Sequence, residues 1–364
     1  MMKKILYLTF ALCVFACAKP QTLSTNQKEK VYFDSWVQLH YGEAYGQGLQ
    51  GLGFYFDPAQ ELAGTGAPVK DSAFVRVKYT AYDLEGNILV SSNPDKHRQL
   101  GDYDTTYYYG PTIWNKGDVT AVPAGIRSVL STMNVGGKRT AIVPSWLMIY
   151  EDHDNGEAYF NSSTTGGKSS IYEIEIVEAT NNISRWELDS LHSFAASNPV
   201  YKYRKSDANV PLDKARFVRC SDASKDTTGG GYYYQQLKKA DKEKALPIDT
   251  TIYVNYIGRL LDGRVFDTNI QDTAIVHHLY SSSATYTPMQ VRMATNFFDI
   301  KSISTSDGSE SSLINGFTYA LKHMKPGEHG VALFYSGMGY SYTATERIPS
   351  YCPLMFELQL VPQP

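Results

Sequence analysis

One stretch of this chain occurs twice. Within "FVRVKYTAYDLEGNILVSS" (74–92), residues 75–92 align without gaps on "IYVNYIGRLLDGRVFDTN" (252–269), so that Tyr79 falls on Tyr256 and Glu85-Gly86 on Asp262-Gly263. Further on, "AGIRSVLSTMNVGGK" (124–138) aligns on "NGFTYALKHMKPGEH" (315–329), with Met133 on Met324 and Gly136 on Gly327. Near the end of each copy, "SIYEIEIVEA" (170–179) matches "LMFELQLV" (354–361). Two units this long can each own a core, which points to a duplicated domain and not a solenoid. A length of 364 residues agrees with two domains at about 150 residues each.

The periods within each copy set its elements. Leu354, Phe356, Leu358 and Leu360 alternate with Met355, Glu357 and Gln359, the pattern of a strand with one buried face. Tyr172, Ile174 and Ile176 alternate with Glu173 and Glu175 in the same way. Asp262-Gly263 between two strand-like runs reads as a hairpin. Ile314, Phe317, Leu321 and Met324 share one helical face, and Lys325-Pro326-Gly327 ends that helix. Ile126, Val129, Leu130 and Met133 repeat the face in the first copy. The expected class is α+β, each domain a twisted antiparallel sheet wrapped over one short helix.

The front end reads as an export signal over 1–16. Met1-Met2-Lys3-Lys4 is followed by an apolar run from Ile5 to Phe15, shorter than the roughly 20 residues a span needs. Val14-Phe15-Ala16-Cys17 is similar to a bacterial lipobox, which makes Cys17 the expected lipidation site. Several acyl chains on one Cys anchor stably. The expected location is extracytoplasmic, on a bacterial outer membrane, with ordinary secretion as the alternative. Residues 17–30 are polar without apolar periodicity and read as a lipidated tether. The first domain is then expected over 31–180, a partly helical linker over 181–216 and the second domain over 217–364. Residues 32–39 read as a helical counterpart of the linker ahead of the first copy, and 53–57 and 231–237 as aromatic strands. The net charge of −3, with no basic stripe, gives no electrostatic support for nucleic-acid binding. Cys220 and Cys352 are open to either reading, a bond or two separate thiols.

The motifs of the last third, "VNYIGRLLDGRVFDTN", "LINGFTYALKHMKPGE", "GMGYSYTATERIPS" and "LMFELQLV", together resemble the FKBP family of peptidyl-prolyl cis-trans isomerases over about residues 229–362. No nucleophile, metal cluster or phosphate loop accompanies them, so no cofactor and no metal are expected. The resemblance implies that Tyr256 and Phe266 are pocket walls, Asp267 the one buried acceptor, and Leu313 and Ile314 the turn before the helix. It implies that the Ile314 N–H donates to a substrate carbonyl, that Phe317 is the floor and that Tyr340 donates its hydroxyl to the bound peptide. Ile348 is expected to close the lip and Phe356 to form the far wall. Tyr256, Phe266, Asp267, Ile314 and Tyr340 are the catalytic candidates; Leu313, Phe317, Ile348 and Phe356 are the substrate-binding ones. The implied partners are proline-containing protein clients, with a prolyl-mimetic macrolide as a further ligand. The alternative reading is a non-catalytic FKBP-fold binding, chaperone or envelope-scaffold protein.

The chain departs from the family pattern in two places. Residues 268–312 form a long insertion beside the expected pocket, with Phe297 or Phe298 as its candidate pocket aromatic and no strand expected before them. His277-His278 within it has no third ligand at useful spacing and reads as an exposed pair. In the first copy Leu89-Val90 stands where Phe266-Asp267 does in the second, and Pro123 with Ile126 replaces Ile314 with Phe317. The first domain is therefore expected to be degenerate, and turnover to reside in the second copy alone.

Overall fold

The computed structural model describes residues 23–42, 52–56, 61–164, 166–197, 218–219 and 231–364. The signal, Cys17 and Cys220 lie outside these residues. The protein is α+β, with two antiparallel sheets, each over its own core.

In the N-terminal half, strands β1 (Tyr55–Phe56), β2 (Phe74–Asp83), β3 (Ile88–Ser91), β4 (Thr112–Asn115), β5 (Lys138–Val143) and β6 (Ser170–Thr180) form one sheet in the order β1-β5-β6-β2-β3, with β4 also on β2. The helix Ala124–Ser131 lays Ile126, Val129 and Leu130 onto it, and Met133 is buried just beyond. Gly125 lets this helix approach, because a Cβ there would meet Val143 and Leu147. A longer helix, Thr25–Tyr41, buries Phe33 and Val37 in the same core. It begins inside the stretch expected as tether. Ser24 and Gln27 form a reciprocal capping box, which supplies the start that apolar periodicity alone does not reveal.

In the C-terminal half, strands β7 (Val218–Arg219), β8 (Tyr232–Lys238), β9 (Thr251–Leu260), β10 (Val265–Thr268), β11 (Met289–Arg292), β12 (Lys301–Ile303), β13 (Glu310–Ser312), β14 (His329–Phe334) and β15 (Leu354–Val361) form the order β13-β12-β11-β9-β15-β14-β8-β7, with β10 also on β9. The hairpins at Glu85-Gly86 and Asp262-Gly263 both form, each glycine taking the positive φ that its turn requires. The second helix, Asn315–His323, buries Phe317 and Leu321, and Gly327 turns the chain after it at φ 74°. The insertion adds a sheet edge: β11 pairs with β9, β12 with β11 and β13 with β12. A strand therefore lies at 289–292, ahead of Phe297, where none was expected. Its four residues are too few to show a period.

β15 departs from simple alternation. Met355 and Glu357, expected on an open face, are buried as well. The linker helix Ile183–Ser197 covers that face, seating Leu191 against Val331, Leu333 and Met355, with Phe194 beside them. No described helix is long and apolar enough to cross a membrane.

Candidate functional site

β9 sets the back of the site. Tyr256 and Gly258 point to the same face as neighbours at period two. A Cβ on Gly258 would lie 2.7 Å from the Phe266 ring and 3.1 Å from that of Phe356, so glycine makes room for both rings over the strand. Phe266 reaches this position through an irregularity in the β9–β10 register between Val265 and Asp267. That bulge puts Val265 and Phe266 both inside, against strict alternation.

The aromatic side chains then close on one another. Phe317 from the helix meets Phe356 edge-on at 5.4 Å, and Phe266 meets Phe356 at 5.5 Å and 79°. Tyr256 stands edge-on to Phe317 at 5.8 Å. Phe266, Phe317 and Phe356 are 3–4% exposed. Leu313 and Ile314 are half-buried against this cluster, while Ile348 is buried within it. Edge-on pairs of this kind contribute about 0.5–1.5 kcal/mol each beyond the area they bury.

The polar groups gather at the other end. The Tyr256 hydroxyl donates to Asp267 Oδ2 at 3.0 Å. Asp267, expected as a buried acceptor, is instead an exposed residue at the rim, because the bulge turns Phe266 inward and leaves Asp267 facing out. Its inner side is still crowded by protein. That desolvation raises its pKa, against the lowering effects of the Tyr256 hydroxyl, the Thr268 N–H and the Arg347 charge. Burial, followed by the Asp267 charge, holds the Tyr256 hydroxyl well above its ordinary range. Tyr340 is 37% exposed, and burial of its remainder followed by the Asp267 charge raises its pKa also. Neither the Ile314 N–H nor the Tyr340 hydroxyl has an acceptor among the described residues.

All nine expected residues thus lie at or under one aromatic cluster. Of the aromatic candidates from the insertion, Phe297 is buried in the same core as the cluster and Phe298 is not. Phe297 packs on Tyr319, which lies two positions from Phe317 and so on another side of the helix, and Phe298 is 53% exposed. Met289, which the sequence did not single out, lies opposite Val254 on β9 and also packs against this core. Asn269 also went unremarked in the sequence. Its Oδ1 accepts from the Tyr256 N–H at 2.8 Å, and its Nδ2 donates to the Val254 and Thr287 carbonyls. It thereby fixes Tyr256 from the strand that follows. Arg347 is a third addition, with Nη1 3.5 Å from the Phe266 carbonyl. Its signal was its place beside Ile348.

The N-terminal half keeps the frame without this cluster. Leu89 and Val90 are 53% and 44% exposed, so no wall forms where Phe266 stands in the other half. Tyr79 instead packs on Trp114 at 4.7 Å. A cavity of about 700 Å³ lies on this half, lined by Lys78, Tyr109, Lys138 and Glu175 among others. Glu175 pairs with both lysines, at 3.3 and 2.9 Å. The cavity lining mixes these charges with Tyr79, Pro94, Pro111 and Ile174 and lacks the packed phenylalanine rings of the other half, so the site is placed at the aromatic cluster. Cys352 has no disulfide partner among the described residues, and burial pushes its thiol pKa up to about 12. His277 and His278 belong to no group of three metal-binding side chains among the described residues.

No protein-family model and no curated protein matches the chain. Among solved structures it is similar to the three FKBP domains of wheat FKBP73, at 14% identity, covering 85% of this chain and 94% of that one, with a TM-score of 0.28. It is also similar to a peptidyl-prolyl cis-trans isomerase from Pseudomonas syringae pv. tomato, at 19% identity over 49% of this chain and 94% of that one, with a TM-score of 0.29. A third similar structure is FkpA from Escherichia coli, at 19% identity over 50% of this chain and 62% of that one, with a TM-score of 0.28.

Proposed function

We propose that the C-terminal half is an FKBP-type peptidyl-prolyl cis-trans isomerase acting on X-Pro bonds of extracytoplasmic client proteins. The barrier to rotation about such a bond is about 18–20 kcal/mol and reflects amide conjugation, while cis and trans differ by only about 0.5–1 kcal/mol. A catalyst needs no covalent step. It must favour the twisted amide over the planar one. In this reading the rings of Phe266, Phe317 and Phe356 seat the proline and keep water from the planar amide. Tyr340 and the Ile314 N–H donate to peptide carbonyls. Asp267 holds Tyr256 in place and does not act as a base. Leu313 and Ile348 shape the rim.

The observation that carries the reading is a pair of donors without acceptors, Ile314 N–H and Tyr340 Oη, beside a floor of three phenylalanine rings. The test is catalysis of cis/trans exchange in a short X-Pro peptide by the chain without its signal, with and without a prolyl-mimetic macrolide such as rapamycin. Acceleration that the macrolide abolishes supports the proposal; exchange at the uncatalysed rate contradicts it.

One observation favours a second reading. The three floor rings are only 3–4% exposed, which leaves little apolar area for a substrate ring. In that reading the half binds proline-containing segments as a chaperone or scaffold without turnover. We further propose that the N-terminal half, whose pocket position is open, serves spacing or binding, and that Cys17 carries the lipid that holds the protein at the membrane. Cys17→Ser should move the protein from the membrane fraction to the soluble fraction. Sedimentation unchanged by that substitution contradicts the anchor.

A further inference from the structure

A buried carboxylate on the linker helix grips the loop that carries Tyr340 and Ile348 of the candidate site. Glu187 is 2% exposed. Its Oε2 accepts from the Ser336 N–H at 2.7 Å and its Oε1 from the Ser336 hydroxyl at 2.8 Å. No lysine or arginine pairs with it among the described residues. A carboxylate buried without a cation lowers stability, so its presence calls for another account than stability.

Ser336 is the hub of the loop between β14 and β15. Its carbonyl accepts from the Gly339 and Ser341 N–H groups at 2.7 and 2.9 Å, on either side of Tyr340. The Ser341 carbonyl in turn accepts from the Tyr351 N–H at 2.8 Å, at the far end of the segment holding Arg347 and Ile348. Ser341 and Tyr351 both take positive φ, 56° and 53°. Each such non-glycine residue costs about 1–2 kcal/mol, so the loop keeps its form only where contacts hold it.

Several of those contacts come from outside the half that the loop belongs to. The Tyr108 N–H donates to the Glu346 carbonyl at 2.7 Å, and the Ser350 hydroxyl to the Ile113 carbonyl at 3.2 Å. Phe74 meets the Tyr351 ring edge-on at 5.4 Å. The loop is thus pinned at its start by the linker helix and further along by the N-terminal half. The loop of the second copy therefore takes part of its support from outside that copy.

Building on the isomerase reading of the site, we propose that Glu187 is a positioning residue for the pocket: it sets the place of Tyr340 through Ser336. Removal of its carboxylate frees both Ser336 donors and lets the loop depart from its two left-handed residues. Substrate then meets a Tyr340 hydroxyl that is present but misplaced.

The test uses the full chain with Glu187→Ala and Glu187→Gln. Amide hydrogen exchange over 336–351 is read beside exchange over β9 and β15, and binding of a short X-Pro peptide is titrated. In Glu187→Ala, loop exchange should rise at least tenfold with β9 and β15 unchanged, and peptide affinity should fall at least fivefold. Glu187→Gln keeps an acceptor oxygen and should restore most of both. Loop exchange equal to wild type in Glu187→Ala overturns the proposal. So does exchange that rises equally in β9 and β15, since Glu187 then merely stabilises the fold. A wild-type chain that binds no prolyl peptide contradicts the isomerase and binding readings alone, and the exchange measurement still decides whether Glu187 positions the loop.

Discussion

Glu187 makes stability depend on pH in a window where ordinary glutamates are silent. Its pKa is raised from 4.5 to about 7 because burial disfavours the charged form, and the two bonds from Ser336 offset only part of that. The folded chain therefore holds a proton at Glu187 between about pH 4.5 and 7 that the unfolded chain has released. Stability from this group is fully present below pH 4.5 and is lost as pH rises through about 7. At roughly 1.4 kcal/mol per unit, the loss amounts to about 3 kcal/mol, most of it between pH 5 and 8. The groups facing Glu187 do not obscure the effect: Tyr351 and Cys352 both have raised pKa values and stay neutral there. Asp267 is raised too and slopes the same way, so the wild type alone does not isolate Glu187. Glu187→Gln does. Urea unfolding of both chains, followed by circular dichroism at pH 5 and pH 8, should show a difference that shifts by about 2–3 kcal/mol in favour of the variant at the higher pH. Parallel pH profiles would refute the argument that burial without a cation governs this residue.

Three further outcomes follow from the site. Gly258→Ala should destabilise by about 1–3 kcal/mol in thermal unfolding, since the new methyl lies 2.7 Å from the Phe266 ring. Phe266→Ala should cost roughly 3–5 kcal/mol in urea unfolding, the range for emptying a buried aromatic position. Tyr256→Phe removes the donor to Asp267 and should raise the Asp267 pKa further, read by NMR titration of its carboxyl carbon; an unchanged value would show that the bond does not form in solution.

Local signals were legible and long-range ones were not. The hairpins at Gly86 and Gly263 and the helix around Phe317 follow from turn chemistry and a period of 3.6, which neighbours in sequence impose. The residues of the aromatic cluster were legible through their motif. Asp267 was misplaced because a bulge, a matter of pairing between two strands, decides which of Phe266 and Asp267 faces in. The burial of Met355 depends on a helix more than 150 positions earlier, which no period within β15 can reveal. Glu187 looks like an ordinary polar residue of that amphipathic helix, and only packing against Ser336 shows otherwise. The helix starting at Thr25 was readable from Ser24 and Gln27, whose spacing fits a capping box.

Cis/trans exchange of an X-Pro peptide by the full chain and its Tyr340→Phe variant tests the central claim most directly. The variant keeps the ring and loses one donor, worth about 0.5–1.5 kcal/mol net, so catalysis should fall about two- to tenfold with stability unchanged. Catalysis in the wild type with this loss is the predicted result. A folded wild-type chain that accelerates nothing, or a variant as fast as wild type, would contradict it.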